Sequence, residues 1–320
     1  MKDALAARTL NEARERIRPD VHRTPLFSSG ELGRRIGVPL RLKAENLQKT
    51  GSFKVRGALN LLRQMDDDTR ARGVVTVSAG NHAQALAWAA RSTGTACTVV
   101  MPESAPLAKV RASRGYGAHV VLHGTVFDAF QRAHDLARER GFTFVHPFDD
   151  DAIIAGQASV GLEILEDLSD IDTIVVPVGG GGLISGVAAA VHRVRPGVRI
   201  IGVEPTGAPA LRKSLDAGHP VRLDTVSTIA DGLGSPMAGD ITFRYVQALV
   251  EDVVVVTDDE IRAAMGLLLS RAKLLTEPAG AAAVAALLGG RIALRGPAVA
   301  VLSGGNVDVE RLGTLLLPEE

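Results

Sequence analysis

The chain has 320 residues, 46% of them hydrophobic, and Lys+Arg and Asp+Glu each total 36, so the formal net charge is zero. That length buries a core large enough for two domains or one large α/β unit, and the even charge, with no basic run interleaved with aromatics, gives a nucleic-acid partner no footing. No apolar run approaches the ~18 residues of a membrane span, the charged stretch Met1 to Arg18 has a helical rhythm but no signal-peptide core, and the single cysteine, Cys97, excludes an internal disulfide. A soluble cytoplasmic protein is expected.

The first informative stretch is Gln48-Lys49-Thr50-Gly51-Ser52-Phe53-Lys54-Val55-Arg56-Gly57-Ala58. Val55, Ala58, Leu59 and Leu62 fall at i, i+3, i+4 and i+7, the apolar stripe of a helix with one buried face. Thr50, Gly51 and Ser52 have the chemistry of a turn and an N-cap, which places Lys54 in the first helical turn. There a cation meets the positive end of the helix dipole. Such a lysine tends to lose its proton, and the neutral amine is a nucleophile able to form a Schiff base. For an isolated lysine the commoner reading is a solvated surface residue, so the choice rests on the rest of the chain.

From residue 74 short β-branched runs alternate with helical segments. Val74–Val77, Cys97–Met101, His119–Leu122 and Phe142–Val145 read as strands, with helices at Ala83–Arg91, Leu107–Arg114 and Val126–Arg140. A second series places strands at Thr173–Val178, Arg199–Glu204, Val253–Val256 and Ala298–Leu302, with helices near 153–168, 183–194, 258–271 and 278–288. Strand–helix alternation with short connections predicts parallel sheets covered on both faces. The first seventy residues do not alternate in this way and are expected to pack onto the second series. That makes 1–72 and 148–320 one large domain and 73–147 a small inserted one, with a cleft between them.

In open α/β sheets ligands bind beyond the carboxyl ends of the strands. Three polar clusters occur there. Ser78-Ala79-Gly80-Asn81-His82-Ala83-Gln84 follows the first strand and opens a helix; its N–H groups suit a carboxylate or phosphate, and an ordinary capped turn is the plainer alternative. Gly179-Gly180-Gly181-Gly182-Leu183 lets the backbone wrap an anion with its N–H groups inward. It has neither the dinucleotide spacing nor a Walker lysine, so a phosphate cup is favoured over a flexible turn. Ser303-Gly304-Gly305-Asn306 is weak alone, because Ser-Gly-Gly is common turn chemistry.

An activated lysine, a phosphate cup and two polar strand ends together point to an aldehyde cofactor that carries a phosphate. Gly51–Ala58, Ser78–Gln84, Gly179–Leu183, Glu277-Pro278-Ala279-Gly280 and Ser303–Asn306 occur in the order seen in fold-type II pyridoxal-phosphate enzymes. From about Arg23-Thr24-Pro25-Leu26 to Asn306 the chain resembles the serine/threonine dehydratase (threonine ammonia-lyase) and serine racemase group. The resemblance implies an α/β fold of two parallel αβα domains, tryptophan synthase β-like, with pyridoxal 5'-phosphate in the cleft between them. It implies that Lys54 holds the cofactor as a Schiff base, that Phe53 and Gly232 flank its ring, and that Asn81 bonds its 3-oxygen. Gly179, Gly180, Gly181, Gly182 and Leu183 would hold the phosphate, Ser303 would face the ring nitrogen, and Glu277 would lie close by. Ser78, Asn81 and the backbone of His82 would bind the substrate carboxylate.

The activity implied is dehydration and deamination of L-threonine and/or L-serine to 2-oxobutanoate or pyruvate plus ammonia, with Lys54 as the base at Cα. The alternative is a serine racemase with side dehydratase activity. Racemisation needs a donor on the face opposite Lys54, and where eukaryotic-type serine racemases have a serine this chain has Ala79, whose methyl delivers no proton. Gly239-Asp240-Ile241-Thr242-Phe243 also looks more like the threonine dehydratase version. A β-replacing synthase and a non-catalytic cofactor-binding module fit less well. Serine racemases bind a divalent cation through a glutamate, a carbonyl and an aspartate; Glu204 and Ala208 match the first two, but Ala210 takes the aspartate's place, so no metal is expected. The resemblance further implies a homodimer and a possible nucleotide effector at Lys49, Thr50, Gln84, Tyr116, Lys273 and Asn306. The chain ends soon after Asn306, so a regulatory C-terminal domain and isoleucine feedback are not expected, and a catabolic role is.

Overall fold

The computed structural model describes residues 6–316. Residues 1–5 and 317–320, which the expected N-terminal rhythm and domain limits include, lie outside the described residues. The helix Ala7–Ile17 buries Leu10, Ala13 and Ile17 along one face.

The described residues hold ten strands: β1 (Leu26–Ser28), β2 (Leu40–Lys43), β3 (Val74–Val77), β4 (Cys97–Met101), β5 (His119–Leu122), β6 (Thr143–Phe144), β7 (Thr173–Pro177), β8 (Arg199–Pro205), β9 (Asp252–Val256) and β10 (Ala298–Val301). They form a six-stranded sheet in the order β1-β2-β10-β7-β8-β9 and a four-stranded sheet in the order β5-β4-β3-β6. Every pairing is parallel except that of the three-residue edge strand β1 with β2. The inner strands β3, β4, β7 and β10 are buried at every position. This is why they read as continuous Val/Ile runs rather than alternating ones: helices cover both faces of a parallel sheet. The strand expected at Phe142–Val145 shortens to Thr143–Phe144, where two residues pair with Val74 and Val75 at the sheet edge.

Between β2 and β7 the chain leaves the six-stranded sheet, builds the four-stranded one and returns. β1 and β2 belong to the larger sheet, whereas the helix Lys54–Gln64 packs into the core of the smaller one. There Val55, Ala58, Leu59 and Leu62 meet Val74, Leu86, Val99 and Met101. Its apolar stripe is the one the spacing predicts.

The start of that helix is fixed by charge. Arg56, fully buried, donates from Nε to Glu45 at 2.8 Å and from Nη1 to Glu163 at 2.7 Å. Buried Lys43 on β2 shares Glu163 at 2.6 Å. A buried lysine inside a strand defeats an alternation reading, so β2 was not expected. Nor were the helices Gly30–Ile36, Asp67–Arg72, Ala210–Ala217 and Asp240–Leu249. The helix expected over 258–271 runs from Asp258 to Leu267, then widens into a π turn over Leu268–Ala272 and stops at Lys273, which lies at φ +60°.

Among the described residues no helix is long and apolar enough to cross a membrane.

Candidate active site

Backbone pairing brings the Lys54 loop to the carboxyl end of β10. Ser52 bridges Gly304, the Phe53 N–H donates to the Ser303 carbonyl at 3.2 Å, and the Gly305 N–H donates to the Gly51 carbonyl at 2.9 Å. The Glu277 N–H in turn donates to the Gly304 carbonyl at 3.2 Å. The expected turn is present, with Thr50 at φ +58° and Gly51 at φ +72°. The expected side-chain N-cap is not. Phe53 occupies the cap position without a side-chain bond, and the buried Ser52 hydroxyl has no partner. Ser52 is extended (φ −160°) and bridges toward Gly304, so it serves strand-like pairing rather than the helix end.

A cavity of about 470 Å³ lies where the loops of the two sheets meet. From the Lys54 loop it is lined by Phe53 and Lys54; from the loop after β3 by Ser78, Ala79, Gly80, Asn81 and His82. From the loop after β7 come Gly179, Gly180, Gly181, Gly182 and Leu183, and Gly232, Glu277 and Ser303 complete the wall. The structure therefore brings together every residue that the sequence singled out for this site. Of the six positions expected near a nucleotide, Gln84 and Asn306 line the same cavity. Asn306 Nδ2 reaches the Thr50 carbonyl at 2.7 Å, while Lys273 Nζ turns to Ser270 and Tyr116 lies against Arg91.

Lys54 is half-buried on the cavity wall, and its Nζ donates to the Pro147 carbonyl at 2.8 Å. Burial pulls its pKa down to about 8, against a smaller opposing pull from Glu277. Desolvation, rather than the helix dipole expected from the first-turn position, is what lowers it. Burial likewise pushes Glu277 up to about 8, helped by Asp231, so its carboxyl is largely the neutral acid at pH 7. Asn81 Nδ2 donates to Glu277 Oε1 at 2.6 Å, and Asn81 Oδ1 accepts from Asn306 at 2.8 Å. One Asn81 N–H is left for a ligand. Ser303 Oγ makes only a long contact, 3.4 Å, to the Ala279 carbonyl, so it too is available.

His82 was expected to contribute its backbone alone. Its ring is buried and held by the Val145 carbonyl, and burial followed by Lys54 and His146 drives its pKa well below the usual value, so the imidazole is neutral. Its Nε2 has no partner. Lys109 and Asp231, which sequence reasoning did not single out, pair across the cavity wall. Lys109 lies on the helix Leu107–Gly115 and Asp231 opens the short turn Asp231–Leu233, 122 residues away, so no local motif announces the pair.

The family described as pyridoxal-phosphate dependent enzyme matches residues 17–304. The chain belongs to the pyridoxal-phosphate-dependent enzymes. Over 309 residues, 96% of this chain, it is 48% identical to an L-threonine ammonia-lyase of Geobacter sulfurreducens, covering 77% of that protein. It is 45% identical over 309 residues, with the same coverage, to an L-threonine ammonia-lyase of Thermotoga maritima. Among solved structures, maize serine racemase superposes with a TM-score of 0.94 at 39% identity, over 97% of this chain and 96% of that one.

The glycine loop of this pyridoxal-phosphate-dependent enzyme leaves no room for side chains. A Cβ at Gly180 would lie 2.3 Å from the Phe148 ring, one at Gly181 would lie 2.8 Å from Thr242 Cβ, and one at Gly182 would lie 3.0 Å from Phe148 Cβ. Gly181 also sits at φ +93°. Side chains are excluded there, so the loop presents bare N–H groups at the start of the helix Gly182–Val194, an arrangement that favours an anion. With the buried amine of Lys54 in the same cavity, the residues fit a phosphorylated aldehyde.

Glu204 is spent elsewhere. Its carboxylate accepts the N–H groups of Leu211 and Arg212, both at 2.8 Å, at the start of the helix Ala210–Ala217, and burial pushes it up to about 7. No group of three or more His, Cys, Asp or Glu able to hold a metal occurs among the described residues.

Proposed function

We propose that this enzyme is a threonine/serine dehydratase: it eliminates water from L-threonine or L-serine and releases ammonia and the 2-oxo acid. The observation that carries this reading is Lys54, a buried amine pulled down to about 8, in a cavity whose Ser78–His82 wall has a methyl, Ala79, at its second position. The names of the curated relatives, L-threonine ammonia-lyases at 45–48% identity, point the same way.

Pyridoxal phosphate, held at Lys54 and at Gly179–Leu183, supplies the electron sink that makes the substrate's Cα–H bond breakable. Asn81 and Ser303 would meet the 3-oxygen and ring nitrogen, Phe53 and Gly232 would flank the ring, and Glu277 would steady Asn81. Ser78, Asn81 and the His82 N–H would orient the substrate carboxylate. Lys54, as a free amine beside Cα, would take the α-proton as general base. It then returns a proton to the departing β-hydroxyl, so the base resets without a second titratable group. A hydroxyl at Ser303, unlike a carboxylate, would not hold a proton on the ring nitrogen, which would favour prompt loss of the β-substituent. Ammonia is freed when water adds to the product after it leaves.

We infer also that 73–147 forms the small domain inserted into the large one made of 1–72 and 148–320, that the protein is a cytoplasmic homodimer, and that a nucleotide binds near Asn306 and Gln84. Calorimetry with AMP and ATP tests the last point; no heat and no change in rate would retire it. The serine racemase reading keeps the maize likeness in its favour.

Steady-state assays of 2-oxo acid and ammonia with a panel of 3-hydroxy amino acids test the main reading. Stoichiometric release of both from L-threonine or L-serine is expected. Turnover confined to inversion at Cα would overturn it.

A further inference from the structure

Thr242 lies in the stretch Gly239–Phe243, which the site described above does not use. It is fully buried in the first turn of the helix Asp240–Leu249. Its Oγ1 donates to the Gly180 carbonyl at 2.7 Å and accepts the Gly239 N–H at 3.0 Å. The hydroxyl has one proton, and the longer 3.2 Å contact to the Gly239 carbonyl competes poorly for it. Thr242 is itself held in place by Asp149, whose Oδ1 accepts the N–H groups of Ile241 and Thr242 at 2.9 and 3.0 Å.

A trans peptide points its C=O and N–H in opposite directions. Because Thr242 fixes the Gly180 carbonyl on the helix side, the N–H of Gly181 in that same peptide is turned the other way. The peptide needs such a tether. It lies between two glycines, and glycine populates positive and negative φ about equally, so the loop alone does not choose one hand. Gly181 is at φ +93°, and a Cβ there would lie within 3.0 Å of both Cβ and Oγ1 of Thr242. Thr242 thus bonds the carbonyl of Gly180 and leaves no room for a side chain at Gly181.

We propose that Thr242 is a positioning residue for the phosphate cup: it selects the orientation in which the Gly180–Gly181 peptide offers its N–H to the phosphate. The inference rests on the reading of Gly179–Leu183 as that cup. It also gives a function to a stretch which, from sequence, only distinguished one subgroup from another.

The test is equilibrium binding to the apoprotein of two probes, pyridoxal 5'-phosphate and unphosphorylated pyridoxal, followed by absorbance and fluorescence. Thr242→Val keeps the shape and removes the hydroxyl; Thr242→Ser keeps the hydroxyl. Wild type is expected to prefer the phosphorylated probe. Thr242→Val loses about tenfold of affinity for that probe alone, the scale of one hydrogen bond to a charged-group site, and Thr242→Ser stays within about threefold of wild type on the same scale. If the valine variant does not fold, Thr242→Ala carries the same comparison. Equal losses for both probes, or no loss for the phosphorylated one, would overturn the role of Thr242. A wild type that does not discriminate between the probes would overturn the phosphate cup itself.

Discussion

Lys54 points its amine at the Pro147 carbonyl, 2.8 Å away, inside a cavity rather than at solvent. The carbonyl gives the free amine a resting place, and burial leaves it less basic than an exposed lysine. With a pKa of about 8, roughly a tenth of the amine is neutral at pH 7. The site therefore holds a usable base without an auxiliary histidine to deprotonate it.

The same burial makes Lys54 costly to the empty protein. Its folded pKa lies below the unfolded value of about 10.4, so the penalty is full below pH 8 and fades as pH rises toward 10. Apoprotein carrying Lys54→Met should be more stable than wild type at pH 7, by up to about 3 kcal/mol. The gain should shrink by pH 10. Urea unfolding at the two pH values checks this.

Glu277 gives the opposite slope. Its folded pKa, raised to about 8 by burial and Asp231, lies above the unfolded value. Its contribution is full below about pH 4.5 and is lost as pH rises through 8, on the order of 3–5 kcal/mol in all. Glu277→Gln keeps an acceptor for Asn81 and should flatten the apoprotein's decline in stability between pH 5 and 8. Glu204, raised to about 7, adds a decline of the same slope that is smaller in total and ends sooner. Melting temperatures across that pH range would show the difference.

Arg56 is the residue whose loss the fold should feel most. Replacing it with alanine strands Glu45 and Glu163 in a dry interior, with only Lys43 to offset them. A loss of about 3–5 kcal/mol is expected. Arg56→Lys should recover little of it, because one ammonium does not reproduce a guanidinium that bonds two carboxylates. Denaturant midpoints of the two variants give the answer.

Much of this was legible in the chain. The inner strands are continuous Val/Ile runs because both their faces are covered, and the Val55–Leu62 stripe is periodic because only one face of that helix meets the smaller sheet's core. The polar clusters were readable because each is local, a few residues at the end of one strand. What escaped was non-local. β2 carries Lys43, which belongs in a core only because Glu163, far along the chain, neutralises it. Lys109 and Asp231 make a pair only once the helix Leu107–Gly115 has met the turn at Asp231. The missing cap at Ser52 has the same origin, since Gly304 claims that backbone for an antiparallel bridge.

Ala79 carries the choice of lyase over isomerase. A methyl at 79 supplies no proton to the face of Cα away from Lys54, where proton transfer requires a donor within ~2.6–3.2 Å. Wild type should form negligible D-serine from L-serine. Ala79→Ser should form detectable D-serine and lose part of its elimination rate, because two exits then share one intermediate. Chiral chromatography separates the products, and wild-type D-serine formation rivalling pyruvate formation would give the racemase reading precedence.

The most direct measurement is ammonia release from L-threonine and L-serine by purified Lys54→Ala, compared with wild type at equal cofactor loading. Lys54 fills its place by chemistry and not by packing, so the variant should keep the far-ultraviolet spectrum of the folded protein while its turnover falls to background. Substantial ammonia release by the folded variant would show that another group takes the α-proton, and would contradict the account.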